Sequence, residues 1–98
     1  MLGCRSSGLI VSDALVFSGR VKLVSVHATN FHTSQDALII IYDNTAASGT
    51  TVLTLVLEPK KSIEVDMHGA ICETGLYVAF GNGPGGNAGT PNCTVEFA

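Results

Sequence analysis

Two apolar segments joined by a short polar connection dominate the middle of the chain. Residues 36–57 read DALIIIYDNTAASGTTVLTLVL. Residues 36–43 are apolar on both faces of an extended chain, which is typical of a strand in the centre of a sheet. Residues 50–57 alternate, with leucines on one face and threonine and valine on the other. Because the connection between them is polar and ends in glycine, the stretch predicts a pair of β-strands.

The same two-residue alternation recurs on both sides of this stretch, and helical periodicity is absent. Residues 20–29 change phase in the middle, so a β-bulge near Leu23-Val24 would let both apolar sets reach a core. On residues 62–67 we expect Ile63 to face the core. The remaining predicted strands are 75–81 and 93–97, with short candidates at 9–11, 13–17 and 70–73 and turns at 59–61 and 68–69.

Seven or eight short strands in 98 residues predict an all-β fold. The economical arrangement is a two-sheet antiparallel β-sandwich, either jelly-roll-like or Ig-like. We expect residues 13–98 to form this single domain. Residues 1–12 hold two Gly and three Ser and are predicted to be a flexible N-terminal arm.

Composition limits the possible functions. The chain is 46% hydrophobic and 13% charged, with a formal net charge of −3. It is too apolar for a disordered tail and too acidic for a nucleic-acid-binding surface. No apolar run approaches the roughly 20 residues of a membrane span, and no signal peptide is apparent. A domain with so few charges is expected to cover part of its apolar surface with other subunits.

Motifs that could support catalysis, metal binding or cofactor binding are weak in this sequence. Residues 81–86 match G-x-G-x-x-G, but a strand and not a helix follows, so a dinucleotide site is not predicted. The histidines and cysteines lack the close spacing of a zinc site. The hypotheses that stay open are a metal held by ligands from different strands and a site shared around a symmetry axis. Cys72 and Cys93 are not expected to form a disulfide. If residues 75–81 and 93–97 form a hairpin, Cys72 and Cys93 lie roughly 23 Å apart, beyond disulfide reach. A different strand order would reopen the question. No nucleophile motif is present, and we predict that the chain is not an enzyme.

From Gly19 onward, the strands follow a particular order. A valine-rich strand precedes an apolar strand, a polar hairpin ending in glycine, a Thr/Leu/Val strand, a short amphipathic strand and a closing strand. The segments are RVKLVSV (20–26), LIIIYDN (38–44), TVLTLVL (51–57), GAICETGLYV (69–78) and CTVEF (93–97). In this order the chain resembles small head decoration (cement) proteins and related virion β-sandwiches of tailed phages, including cyanophages.

The resemblance implies a structural protein without catalytic residues or cofactors. Such proteins bind the outer surface of an assembled head, often as homotrimers at local threefold positions. The expected partners are the major capsid protein and further copies of this chain, with no nucleic acid and no membrane. The expected location is the capsid surface of the virion, after synthesis in the host cytoplasm without secretion.

The partner interface is predicted where apolar side chains are not needed for the core. In the arm these residues are Leu2, Leu9, Ile10 and Val11, and on the central strand they are Ile40 and Tyr42. Three alternatives stay open. The first is a tail-associated or fibre-associated glycan-binding sandwich, for which Tyr42 and Tyr77 are the plausible aromatic platforms. The others are a small hydrolase or metal-dependent enzyme and an oligomeric cytosolic domain without a viral role.

Overall fold

The computed structural model describes residues 4–98, and Leu2 of the predicted interface lies outside them. Every regular element among the described residues is a β-strand. The eight strands are β1 (Arg5–Ser6), β2 (Ala14–Ser18), β3 (Val21–Asn30), β4 (Ala37–Asp43), β5 (Thr50–Leu57), β6 (Ser62–Cys72), β7 (Gly75–Asn82) and β8 (Pro91–Phe97). The predicted all-β class is therefore confirmed. The bounds of β5 are those that its alternation predicts.

The strands form two antiparallel sheets of four. Sheet A has the order β1-β8-β3-β6, and sheet B has the order β2-β7-β4-β5. The strands pair as β1 with β8, β2 with β7, β3 with β6 and β4 with β5. This nested pairing is that of one long hairpin rolled up so that successive strand pairs alternate between two sheets. It is the jelly-roll connectivity, which decides between the two predicted sandwich types.

The core lies between the sheets and follows the period of two along each strand. On β4, Ile39 and Ile41 are fully buried, as are Leu76 and Val78 on β7. Sheet A contributes inward side chains from β3 and β8. The predicted inward residues of β8 are confirmed, and they are Cys93, Val95 and Phe97.

The phase change in β3 has the predicted cause. Leu23 and Val26 are both fully buried although they are three residues apart. The pairing of β3 with both of its neighbours shifts register between Leu23 and Ser25. Opposite β8, Val24 is the extra residue, and this bulge returns the second apolar set to the core. Opposite β6, the extra residues lie on β6 itself, between Asp66 and Ala70.

β6 differs from its prediction. The expected turn at His68-Gly69 is wrong, because β6 runs through it from Ser62 to Cys72. Both residues have a positive φ, 52° and 73° respectively, and they form an irregularity within the strand. Ile63, expected inside, is 41% exposed because β6 is an edge strand that the opposite sheet does not fully cover.

The cysteines are separated by the strand order. β7 and β8 lie in different sheets, so the hairpin considered for residues 75–81 and 93–97 does not form. Cys72 pairs with Val21 and Cys93 pairs with Ala28, at opposite ends of β3. Both cysteines are free and buried, and Cys4 is free and exposed.

The segment before β2 runs antiparallel along β8. Arg5 pairs with Phe97, and the backbone N–H of Ile10 donates to the Cys93 carbonyl at 2.7 Å. Ile10 is only 7% exposed and belongs to the core cluster. Instead of the short strand expected at residues 9–11, the structure has this single bridge.

Candidate protein interface

The two sheets have outer faces of opposite character. Register places mainly polar side chains on the outside of sheet A, with Ile71 as an apolar exception. They are Lys22, Ser25, His27, Thr29, Ser62, Glu64, Asp66, Thr94 and Glu96. The outside of sheet B is mainly apolar. Its apolar residues, which we call the outer B face, are Leu15, Leu38, Ile40, Tyr42, Val56, Tyr77 and Ala79, and the threonines Thr51 and Thr54 lie on the same side.

The outer B face is built on β4, the strand that is apolar on both sides. Because Ile39 and Ile41 point into the core, their neighbours must point away from it. Ile40 lies between Ala79 of β7 and Thr54 of β5 in the ladder. The result is a contiguous surface across all four strands of sheet B.

Exposure across this face is greatest at its two edges. Leu15 on β2 is 47% exposed, and Val56 on β5 is 52% exposed. Tyr42 and Tyr77 are directly paired between β4 and β7, and both are part-buried. None of the seven residues of the outer B face is charged. A contiguous uncharged, largely apolar surface of this kind is what a protein partner covers.

The structure places the residues predicted for an interface in three different locations. Ile40 and Tyr42 lie together on the outer B face. Leu9 and Val11 are 68% and 67% exposed near the start of β8, away from that face. Ile10 packs into the core of its own chain.

A second apolar surface lies at the end of the sandwich where β8 begins. Phe31 is 63% exposed there, and its backbone N–H donates to the Thr90 carbonyl at 3.0 Å. Phe31 and Val11 line a groove of about 400 Å³ together with Phe80 and residues 88–92. The sequence reasoning missed Phe31 because residues 30–35 are predominantly polar. An aromatic residue within a polar loop was the available signal.

A polar cluster crosses the outer face of sheet A. The Ser25 hydroxyl donates to Glu96 Oε1 at 2.5 Å, and His27 Nε2 lies 3.0 Å from the same oxygen. His27 Nδ1 faces Glu64 at 4.0 Å on the other side. The hydrogen bonds from Ser25 and then His27 lower the pKa of Glu96 below its ordinary value. The cluster therefore links β8, β3 and β6 through side chains as well as through the ladder.

This serine, histidine and glutamate do not have the geometry of a catalytic triad. In a triad, one imidazole nitrogen takes the serine proton and the other is held by the carboxylate. Here Glu96 contacts both the Ser25 hydroxyl and the same His27 nitrogen, Nε2. Ser25 Oγ also lies 3.2 Å from His27 Nε2, but its hydroxyl donates to Glu96. Glu64 is 4.0 Å from His27 Nδ1, too far for the hydrogen bond that orients the imidazole in a triad.

The other two histidines serve local structure. His32 Nδ1 accepts the backbone N–H groups of Ser34 and Gln35, at 3.0 and 2.9 Å, which shapes the loop after β3. His68 lies 3.6 Å from Asp66 beside the irregularity in β6. Within residues 4–98, no three histidine, cysteine or acidic side chains are grouped so that they could hold a metal ion. The same part of the chain has no helix able to span a membrane.

Comparison with known proteins gives a distant structural likeness. No family model matches the chain. No curated protein matches it significantly in sequence. Among solved structures, the coat protein of Tobacco streak virus is similar at a TM-score of 0.42 and 10% identity, over 80% of this chain. The matched region spans 60% of that coat protein. The assignment of the jelly roll rests on the strand order itself.

Proposed function

We propose that this protein is a structural component of a phage virion, a decoration protein that binds the outer surface of the assembled head through its outer B face. The observation that carries the proposal is the contrast between the two outer faces. A sandwich needs apolar side chains only between its sheets, yet sheet B is apolar on both sides. Jelly-roll sandwiches are common in viral capsids, and the order of strand features resembles head decoration proteins.

The proposed role needs binding and no chemistry. A protein that binds the assembled shell more tightly than its separate subunits stabilises the assembly by mass action. The uncharged outer B face has the properties of the central part of an interface, where charged residues are depleted and aromatic residues enriched. The exposed Leu9 and Val11 extend the proposed contact at the end of the sandwich, where Val11 shares a groove with Phe31. The homotrimeric state that the resemblance implies belongs to the same proposal.

The test compares equivalent substitutions on the two sheets. Leu15 on sheet B and Ile71 on sheet A are both 47% exposed, so Leu15→Asp and Ile71→Asp replace matched apolar side chains. Heads assembled from the major capsid protein of the virus that encodes the chain are mixed with each variant and sedimented. We expect Leu15→Asp to weaken binding by about tenfold or more, which corresponds to about 1.4 kcal/mol.

The matched control decides the outcome. Ile71→Asp is expected to bind within about twofold of the wild type, a difference well below 1 kcal/mol. Equal loss in both variants, or a wild type that does not sediment with heads, would contradict the proposal. Native mass spectrometry of the free protein tests the trimer, which should have three times the chain mass of 10.1 kDa.

Glycan binding is the second candidate, and one observation favours it. Tyr42 and Tyr77 are paired on adjacent strands of an outer face, where two aromatic side chains are available to a sugar ring. A glycan array separates the two functions. Binding of a defined glycan that is lost in Tyr77→Ala, together with a wild type that does not sediment with heads, would favour the glycan site over decoration.

A further inference from the structure

A β-sandwich has four edge strands, and three of those in this chain are protected against pairing with another chain. β1 has only two residues, and β2 has five with a register shift between Leu15 and Phe17. β6 is interrupted at His68 and Gly69 by positive φ angles, and it carries outward acidic side chains. Short length, bulges and charge are the usual means of blocking an edge.

The fourth edge, β5, has little of this protection. Its eight residues include no charged residue and no proline. A register shift opposite Ile41 and Tyr42 confines the irregularity to its first part, around Val52, and Leu53–Leu57 is regular. Among the described residues, no side chain or loop hydrogen-bonds the backbone of Thr50–Val56 outside the ladder. Half of the peptide groups of β5 therefore face outward without a partner from this chain.

We infer that β5 pairs antiparallel with β5 of a second copy of this chain across a twofold axis. The pairing that uses the whole regular segment is centred on Leu55, with Leu53 opposite the partner's Leu57. On the outer side it sets Thr54 opposite the partner's Val56. Leucine meets leucine inside, threonine meets valine outside, and no charges meet. Such self-complementarity is the requirement for a twofold interface.

The pairing also accounts for the exposure at this edge. Val56 is 52% exposed in the single chain, and it would contact the partner's Thr54. Sheet B would become an eight-stranded sheet, and the two outer B faces would lie side by side as one apolar surface. A contact of five residues on each side is small, so we expect dimers to increase with concentration. A trimer that uses other surfaces is compatible with it, since a closed shell has both twofold and threefold axes.

Cysteine cross-linking tests the pair without any capsid, so its outcome is independent of the proposed function. In a Cys4→Ser background, Thr54→Cys and Val56→Cys chains are mixed and oxidised with copper phenanthroline. Directly opposite residues have Cβ atoms about 4.5–5.5 Å apart, whereas two copies of residue 54 lie diagonally at about 7–8 Å. We expect the mixture to give a covalent heterodimer and either variant alone to give little.

The matched control uses the other long edge. Ile71 lies on β6 and is about as exposed as Val56. The Ile71→Cys variant should not cross-link with itself or with either β5 variant. Absence of the heterodimer, or equal cross-linking by Ile71→Cys or by one β5 variant alone, would overturn the inference. Hydrogen exchange of the wild type provides a second measurement that needs no substitution. Protection of the β5 amides should increase with protein concentration, and unchanged protection at millimolar protein would also overturn it.

Discussion

Removal of the Asn30 side chain should be among the most damaging single substitutions in this protein. Asn30 ends β3, is fully buried and fixes the end of the sandwich where three segments meet. Its Nδ2 donates to the carbonyls of Gln35 and Leu57 at 2.7 and 3.2 Å. Its Oδ1 accepts the backbone N–H groups of His32 and Thr90, each at 3.1 Å.

The magnitude follows from these four bonds. A hydrogen bond contributes a net 0.5–1.5 kcal/mol, so Asn30→Ala should cost about 2–6 kcal/mol. We expect the upper half of this range because the four backbone partners would remain, and those that stay buried would lose their hydrogen bonds. A domain of this size is stable by about 5–15 kcal/mol, so the loss is a large fraction of the total.

Urea unfolding followed by far-ultraviolet circular dichroism measures the free energy of unfolding. The control is Asn87→Ala, an exposed asparagine whose side chain makes one 3.5 Å contact, and it should change stability by less than about 0.5 kcal/mol. Asn30→Asp keeps the size and the acceptor oxygen but replaces the donor with an acceptor that faces two carbonyls. At neutral pH it should also destabilise the fold. If Asn30→Ala costs less than about 1 kcal/mol, the side chain does not hold this end together.

Three further predictions concern the other end of the sandwich and the thiols. The Asp43 carboxylate accepts the backbone N–H groups of residues 73–75, at 2.8–3.3 Å, and these bonds lower its pKa from 3.8. Its folded pKa lies below its unfolded pKa, so its contribution is present above about pH 4 and is lost on further acidification. Asp43→Asn should therefore be less stable than the wild type at pH 7, with the gap closing near pH 2, and a constant gap in urea unfolding would contradict this. Gly75→Ala should destabilise by about 1–3 kcal/mol in the same assay, because two backbone carbonyl oxygens lie 2.8 and 3.0 Å from the position of an added Cβ. A thiol reagent should modify Cys4 alone in the native protein. Burial raises the pKa of Cys93 to about 11 and also raises the pKa of Cys72. Rapid reaction of all three thiols would contradict this burial.

The outer faces of the two sheets differ in chemistry. The polar groups of sheet A bind one another, whereas sheet B leaves apolar side chains available to a partner. On sheet A, the cluster of Ser25, His27 and Glu96 satisfies its polar groups within the molecule. On the outer B face, Leu15 and Val56 leave apolar area exposed to solvent. Both the proposed head contact and the inferred β5 pair involve this second sheet, and their tests do not depend on each other.

For β4 and β5, the pattern of apolar residues along a single strand was sufficient to predict the bounds of that strand and whether one or both of its faces are covered. The bounds of β5 and the central position of β4 follow from alternation and from the double-sided apolar run, because side chains on a strand alternate between faces. The bulge in β3 was also predictable, since Leu23 and Val26 could not otherwise share one core. Alternation also explains why Ile40 and Tyr42 are predicted for an interface, and both lie on the side of β4 that the core does not use.

Pairing between distant segments was decided by the tertiary structure alone. A sequence with alternating faces does not state which strands are neighbours, so β7 and β8 were considered as a hairpin although they lie in different sheets. The turn expected at His68 and Gly69 lies within β6, because the ladder resumes beyond these two residues although both adopt positive φ. The burial of Ile10 and Asn30 depends on contacts with β8 and with loops far along the chain. The sequence by itself determined that this chain is an apolar sandwich with more hydrophobic surface than its core requires. Only the three-dimensional packing placed that surplus on the outer B face and left β5 as an open edge, because both depend on which strands lie side by side.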